Sequence, residues 1–402
     1  MQGPDARPQL PVPDFRVGRT VAITNARILT RPDSPPIDNG TVVVVNGRIA
    51  AVGPDAPVPS GCAILDAAGC AVAPGFWNAH VHFTEPAWAG AGQASAVSLE
   101  GRLAEMLTCH GFTSVIDTGS DPRSTFPLRA RIASGEVAGP AIYSSGMGLY
   151  PPRGIPYYVR RDLPFYARWL LPQPRDRVSA TRAVERSIAR GADLVKLFTG
   201  SWVARGRVLP MPRAVAEAAV GAAHRQGRLA FAHPSNLEGT RIAIDSGVDV
   251  LAHAPDATEG MEDALLKELI ARGIAMVPTL KMFQTTASSD PGYLRPIYEI
   301  VRRFRDLGGT LLFGTDVGYM RDYSTEGEFD ALTQAGLSPK EILRTLTTGP
   351  AERFGLEHEL GSIAPGKLGD LVILASDPLS DVRAFGQIRH TIRSGRRIWS
   401  AG

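Results

Sequence analysis

From Thr20 to Ala73 the chain alternates β-branched and polar positions: VAITNARIL, a Pro/Asp/Gly turn, then TVVVVNGRIAAVG, interrupted at Asn46-Gly47. Period-two patterning broken by that dipeptide predicts antiparallel strands joined by a tight hairpin. The C-terminal stretch returns to this style in LGDLVILASDP and IRHTIRSGRRIW, so both ends of the chain are predicted to be β-rich. Between them the rhythm changes. Eight apolar strand-like runs (CAVAPGFWNAHVH, FTSVIDTG, PAIYSSG, ADLVKLFTG, RLAFAHP, DVLAHAP, IAMVPTL and TLLFGTD) alternate with windows rich in Ala, Arg, Glu and Leu. Several of these windows, such as SATRAVERSIARG and MEDALLKELIARG, end in Gly, as a helix C-cap should. Eight β/α units over about 245 residues predict an α/β fold, a (β/α)8 barrel whose chemistry sits at the C-terminal ends of the strands.

One connection is longer than the rest, MGLYPPRGIPYYVRRDLPFYARWLLPQPRDRV, between PAIYSSG and a helix at Ser179. Long loops in compact folds are usually functional or disordered. Tyr150, Tyr157, Tyr158, Phe165, Tyr166 and Trp169 argue here for a packed lid or pocket wall, with a structural excursion on the barrel rim as the alternative.

Composition narrows the class. With 402 residues, 44% hydrophobic and 21% charged, the chain supports a large buried core rather than a disordered or fibrous state. The net charge is +3 and the basic residues are scattered, so no stripe predicts nucleic-acid binding. No stretch of about 18 apolar residues predicts a membrane span. The Pro-rich segment Met1 to Thr20 lacks a signal-peptide pattern, which makes the cytoplasm the expected location. Cys62, Cys70 and Cys109 are odd in number and lack metal-site spacing, which predicts buried thiols rather than disulfides or a zinc knuckle.

The candidate chemistry lies at the strand ends. His80, His82, His233 and His253 all close predicted barrel strands. His80 and His82 are an i, i+2 pair, so both imidazoles leave a strand on one face and can grip one ion. Asp316 ends the last strand, and a carboxylate buried beside imidazoles needs compensating positive charge, which a metal would supply. Lys196 lies in an apolar run where an unpaired ammonium is costly. Of the 43 Lys and Arg side chains only five are lysines, so a position needing charge alone would carry Arg. A lysine amine with a pKa lowered by burial can react with carbon dioxide or a carbonyl, which Arg cannot do.

The ordered set PGFWNAHVHF, DLVKLFTGS, AFAHP, VLAHAPDAT and FGTDVG, followed by LTTGPAERFGLEHELGSIAPGKLGDLVIL, resembles the amidohydrolase superfamily of metal-dependent hydrolases. Within it the chain is most similar to the imidazolonepropionase-like branch that includes metal-dependent Xaa-Pro dipeptidases. The resemblance spans nearly the whole sequence. It implies a distorted TIM barrel over residues 73–355, with a lid-like insertion around 147–178, and a small β-sandwich from residues 1–72 and 356–402. It implies that His80, His82 and Asp316 hold one divalent ion and His233 and His253 a second, bridged by Lys196 carboxylated on its amine. Zinc is the default for such mixed ligands. Two ions about 3.5 to 4 Å apart can share a hydroxide, whose formation they favour at neutral pH. That hydroxide would attack a carbonyl, while Asp316 would accept the proton and pass it to the leaving amine. Asp316 and Lys196 are thus the catalytic candidates. A one-ion variant stays open.

His233 is followed by Pro234, Ser235 and Asn236, where many relatives carry an aromatic or a second histidine, so the substrate stays open too. Candidate substrate contacts on the loops are Trp88, Tyr150, Tyr157, Tyr158, Arg160, Trp202, Arg205, Phe283, Tyr319 and Tyr323, an aromatic-rich set that suits an apolar substrate. Arg160 or Arg205 could clamp a carboxylate. Asp117 and Glu328 are candidates for orienting metal ligands through hydrogen bonds, and His110, His224, His358 and His390 read as structural. The expected activity is hydrolysis of a C–N amide bond in a small peptide-like, N-acyl amino acid or cyclic amide substrate. The alternatives are ester, lactone, carbamate or phosphotriester hydrolysis by the same site, and an inactive scaffold, which the intact ligand set disfavours. A homo-oligomer is expected from family habit.

Overall fold

The computed structural model describes residues 8–13, 18–163 and 165–402. The start of the N-terminal segment, Met1 to Arg7, and the side chains of Phe165 and Tyr166 lie outside the described residues. Strands β1 (Val21–Ile28), β2 (Ile37–Val45) and β3 (Arg48–Gly53) form an antiparallel meander, with the last turn at Asn46-Gly47 where the residue types place it. β4 (Ala63–Asp66) and β5 (Ala71–Pro74) then follow one another along the other edge of β1, both parallel to it.

The central body begins with β6 (Phe76–Val81), β7 (Phe112–Asp117) and β8 (Ala141–Ser144), a three-stranded parallel sheet. β9 (Leu194–Phe198) opens a second sheet. After it comes a hairpin absent from the sequence reading, β10 (Gly200–Ala204) with β11 (Arg207–Pro210). β12 (Leu229–His233), β13 (Val250–Leu251) and β14 (Ala275–Met276) complete the second sheet in parallel with β9. Every residue of β6, β7, β8 and β12 is buried, the continuous apolar signature of parallel strands covered on both faces.

Helices separate these strands and start and stop where their polar ends allow. Asp176 and Ser179 form a reciprocal capping box on helix Arg177–Ala189, and Asn236 caps helix Leu237–Ser246, which stops at Gly247. Helices Ala96–Met106, Arg213–His224, Asp263–Ala271 and Pro291–Asp306 pack their apolar stripes inward in the same way.

Seven of the eight expected barrel strands are present, while the eighth, around Leu311 to Asp316, is not a ladder strand. It touches its neighbours through isolated parallel bridges, Met276 with Leu311 and Val81 with Val317, and Leu149 with Leu197 bridges the other gap between the sheets. The parallel strands are therefore drawn as two sheets and not as one closed barrel. At the end of the eighth segment Asp316, at φ 60°, turns the chain out of the extended region.

β15 (Leu371–Leu374), β16 (Ile388–Arg393) and β17 (Arg396–Ser400) return from the C-terminus, and β15 pairs antiparallel with β5. The two β-rich ends thus share one hydrogen-bonded path of strands, in the order β17-β16-β15-β5-β1-β2-β3 with β4 beside β1, and an isolated antiparallel bridge links Arg48 of β3 to Leu368 just before β15. β5 joins the two ends, because it pairs with β1 and β15 at once. The face of Ile23, Ile28, Val42, Val44, Val72 and Ile373 is its own apolar cluster. The long insertion contains helix Tyr157–Asp162 and a short turn of 3-10 helix, and no helix among the described residues is long and apolar enough to cross a membrane.

His110 ends the single turn Thr108–His110 that leads into β7, with its Nε2 buried and unpartnered. Burial holds its pKa down to about 4. The unfolded chain binds a proton near pH 6.5 that the folded chain refuses, so stability is expected to fall as pH drops from about 6.5 to 4, by up to about 3 kcal/mol. A His110→Leu substitution should flatten that acid limb in urea unfolding, and parallel wild-type and variant profiles would show that the imidazole is not held neutral by burial.

Candidate metal centre

The end of β6 carries His80 and His82 into the interior between the two sheets, and the 311–317 segment brings Asp316 against them. Asp316 Oδ1 lies 3.0 Å from His82 Nε2 and 3.3 Å from His80 Nε2, and the two Nε2 atoms are 3.2 Å apart. The backbone is built for this approach. Asp316 N–H donates to His80 O at 2.9 Å, and Asn78 accepts from the amides of His80 and Thr315 while donating to the Thr315 hydroxyl. Gly314 stands where a Cβ would come within 2.3 Å of Val277 and 3.0 Å of the His80 Cβ, so a side chain there would push Asp316 away from the histidines.

Outer contacts fix which ring nitrogen is free. His80 Nδ1 lies 2.6 Å from Ala252 O, and His82 Nδ1 lies 2.7 Å from Gly119 O. A carbonyl only accepts, so each Nδ1 carries the proton and each Nε2 presents a lone pair toward Asp316. Asp316 Oδ1 is buried without a hydrogen-bond donor. Two imidazole lone pairs and a carboxylate oxygen thus converge at van der Waals distance, an arrangement that a cation relieves and that fits a divalent metal. The three ligand atoms lie within 4.8 Å of one another.

The other two histidines continue this cluster. The His253 ring centroid is 4.4 Å from that of His80 and 4.4 Å from that of His233. His253 Nδ1 is 2.7 Å from the Thr279 hydroxyl, which itself donates to Pro278 O and so accepts from the imidazole. Burial pushes His80, His233 and His253 well below the ordinary imidazole range, which keeps them neutral as metal ligation requires. For His82 burial acts in the same direction, but the Asp316 carboxylate 3.0 Å from its Nε2 outweighs it and raises its proton affinity. A proton or a metal cation answers the same field.

Lys196, on β9, is 2% exposed, and burial pulls its amine down to about 7 against the opposing charge of Asp316. Its Nζ sits 5.5 Å from the centre of the Phe198 ring. Phe198 in turn stacks on His233 at 4.8 Å and 22°, and Tyr150 also stacks on Phe198, at 4.6 Å and 25°.

The loop candidates divide. Tyr150, through Phe198, and Phe283, at 6.3 Å from His253, belong to the aromatic shell of the cluster. Tyr158 packs between Tyr157 and Tyr319, at 5.5 and 5.3 Å. Trp202 donates its indole N–H to Asp256, which also accepts from the Tyr293 hydroxyl. The remaining candidates have other partners: Trp88 is buried against Phe83, Arg160 donates to Val203 O, Tyr323 donates to Glu85, and Arg205 occupies the exposed turn of the β10–β11 hairpin.

Asp117 and Glu328 act one step further out. Asp117 accepts from Ser120, Ser144 and the Gly119 amide, holding the loop whose carbonyl orients His82. Glu328 accepts from the amides of Leu280 and Lys281, just after Thr279. The orienting groups that sequence reading missed are Thr279, Asn78, Asp256 and the carbonyls of Ala252 and Gly119. Thr279 and Asp256 follow strand ends, which is a usable signal, whereas a carbonyl leaves none.

A barrel-like α/β body with converging histidines and a carboxylate at its strand ends defines a metal-dependent hydrolase architecture. The amidohydrolase family model matches residues 71–398, and the chain belongs to that family of hydrolases acting on C–N bonds. It is 25% identical over 435 residues to an ochratoxinase of Aspergillus niger, covering 95% of this chain and 87% of that enzyme. An adenine deaminase of Deinococcus radiodurans is 24% identical over 366 residues, covering 89% of this chain and 58% of that longer protein. Among solved structures, a putative prolidase from Bifidobacterium longum superposes with a TM-score of 0.79 at 25% identity, covering 96% of each chain.

Proposed function

We propose that this protein is a two-ion amidohydrolase that cleaves the amide bond of a small peptide-like or N-acyl amino acid substrate. The observation that carries the reading is the convergence of His80 Nε2, His82 Nε2 and the donorless Asp316 Oδ1, extended through His253 to His233. His80, His82 and Asp316 would hold one divalent ion, most simply zinc, and His233 and His253 the other. The second pair has no carboxylate of its own in that set, and Lys196, carboxylated on its amine, would provide the shared anionic ligand. Bound ions would supply a nucleophilic hydroxide at neutral pH and polarise the scissile carbonyl.

The chain's own part is to place and move protons. Asp316, whose backbone is held by His80 O, takes the proton of the attacking nucleophile on its carboxylate and delivers it to the leaving nitrogen. The imidazoles stay neutral because burial disfavours their charged forms. Tyr150, Tyr157, Tyr158, Trp202 and Tyr319 would line an aromatic substrate site, with Trp88 behind it and Arg160 or Arg205 meeting a carboxylate. Likeness to an ochratoxinase and a putative prolidase, within a family of hydrolases acting on C–N bonds, supports the amide reading.

We also place residues 73–355 in a distorted (β/α)8 barrel, supported by the parallel order of the strands and the bridges at both gaps. Residues 1–72 and 356–402 would form the composite β domain, the 147–178 insertion a lid, and the enzyme a cytoplasmic homo-oligomer. The test of function is hydrolysis by metal-loaded enzyme of matched panels: Xaa-Pro dipeptides and N-acyl aromatic amino acids against esters, lactones and phosphotriesters. Amides are expected to lead by at least about tenfold in kcat/KM, a difference of about 1.4 kcal/mol in transition-state binding. Preference for the oxygen esters would move the enzyme to the alternative class.

A further inference from the structure

The four histidines are not held alike. His80, His82 and His253 each have a ring nitrogen hydrogen-bonded by protein: Ala252 O, Gly119 O and the Thr279 hydroxyl. Among the described residues no such partner holds His233, whose surroundings act on it by burial and by charge alone. What confines its imidazole is contact with rings. Phe198 lies face to face with it at 22°, and His253 meets it near edge-on at 70°.

Phe198 is itself held by a second ring. Tyr150 stacks on it at 4.6 Å, and the Tyr150 amide is anchored on Pro172 O. Gly148 passes so close that a Cβ there would stand 3.3 Å from the Phe198 ring and 3.7 Å from the Lys196 Cγ. The β9 backbone is clamped on the same side, with Leu149 N–H donating to Lys196 O and Phe198 N–H donating to Leu149 O. Phe198 thus stacks on both Tyr150 and His233, with the Lys196 amine 5.5 Å from the centre of its ring.

We infer that Phe198 is a positioning residue for the second metal ion, doing for His233 by stacking what a hydrogen bond does for each of the other three histidines. The inference rests on the two-ion reading of the site. A stack restrains the tilt of an imidazole but leaves its rotation in the plane and its tautomer free, so the ion on His233 and His253 is the weaker and faster-exchanging of the two. Loss of Phe198 should release the second ion and leave the first, because His80 and His82 are oriented by the Ala252 and Gly119 carbonyls and Asp316 by its N–H bond to His80 O.

The test starts from zinc-loaded enzyme and removes metal stepwise with dipicolinate, counting bound zinc by elemental analysis at each step. Wild type is expected to hold two ions and lose them in two separated steps. Phe198→Leu should lose the more labile ion at about 10- to 100-fold lower chelator concentration, the range seen when an orienting partner of a ligand is removed, with the second step unmoved. Phe198→Tyr, which keeps the aromatic face, should restore the wild-type curve, and Phe198→Met serves if the leucine variant does not fold. A Phe198→Leu curve that coincides with wild type, or shifts equally in both steps, overturns the positioning role while leaving the two-ion site standing. A single ion in the wild type overturns the two-ion reading and the inference with it.

Discussion

An Asp316→Asn variant is expected to lose turnover by about 10²- to 10⁴-fold, the usual contribution of a positioned general acid-base, while it still folds and retains metal. The backbone supports this separation, because Asp316 sits at φ 60°, a left-handed conformation that asparagine adopts as readily as aspartate. The Asp316 N–H to His80 O bond survives the change, and His80 and His82 keep their own orienting carbonyls. What disappears is a carboxylate that can accept a proton. The loss should therefore fall on kcat rather than KM. Steady-state kinetics at equal measured metal content checks it, and a kcat within tenfold of wild type would remove Asp316 from the proton path.

Lys196→Ala is expected to reduce bound metal from two equivalents to one and to lose activity with the missing ion. The amine is buried and its pKa is pulled to about 7, so near neutral pH a large share of it is the free base that can attack carbon dioxide. The neutral amine adds to carbon dioxide, forming an N–C bond as one C=O π bond opens, and the nitrogen releases one proton to solvent, which converts a neutral buried amine into an anionic carbamate that two cations can share. Intact-protein mass under carbon-dioxide-preserving conditions should show one added carboxyl group on wild type and none on the variant. Because truncating a buried lysine also leaves a void, Lys196→Met is the control: it fills the space, cannot be carboxylated and should match Lys196→Ala in metal content. Two ions retained in both variants would leave Lys196 as a substrate or packing residue.

Much of this site was legible along the chain. The five motifs end β6, β9, β12, β13 and the 311–317 segment, and His80, His82, His233, His253 and Asp316 converge because strand ends in a parallel α/β body face one direction. Residues whose partners are side chains of ordinary type were less legible. The Trp202 indole N–H is engaged by Asp256 and Arg160 donates to the Val203 carbonyl, partners that no residue near either of them in sequence announces. Loop side chains find their partners across the fold, and nothing in local pattern records which partner is in reach.

By itself the sequence determined the strand and helix rhythm, the β-rich ends, the hairpin turn at Asn46-Gly47 and the candidate ligand residues. These depend on periodicity and on residue chemistry, both local properties of the chain. Only the tertiary structure decided that the two ends merge into one sheet through β5, and that the eighth strand breaks at Asp316 to aim a carboxylate at two imidazoles. It alone shows three histidines held by hydrogen bonds and the fourth by a ring. Edge pairing, left-handed backbone and the direction of a lone pair are set by contacts between residues distant in sequence, and so they exist only once the chain has folded.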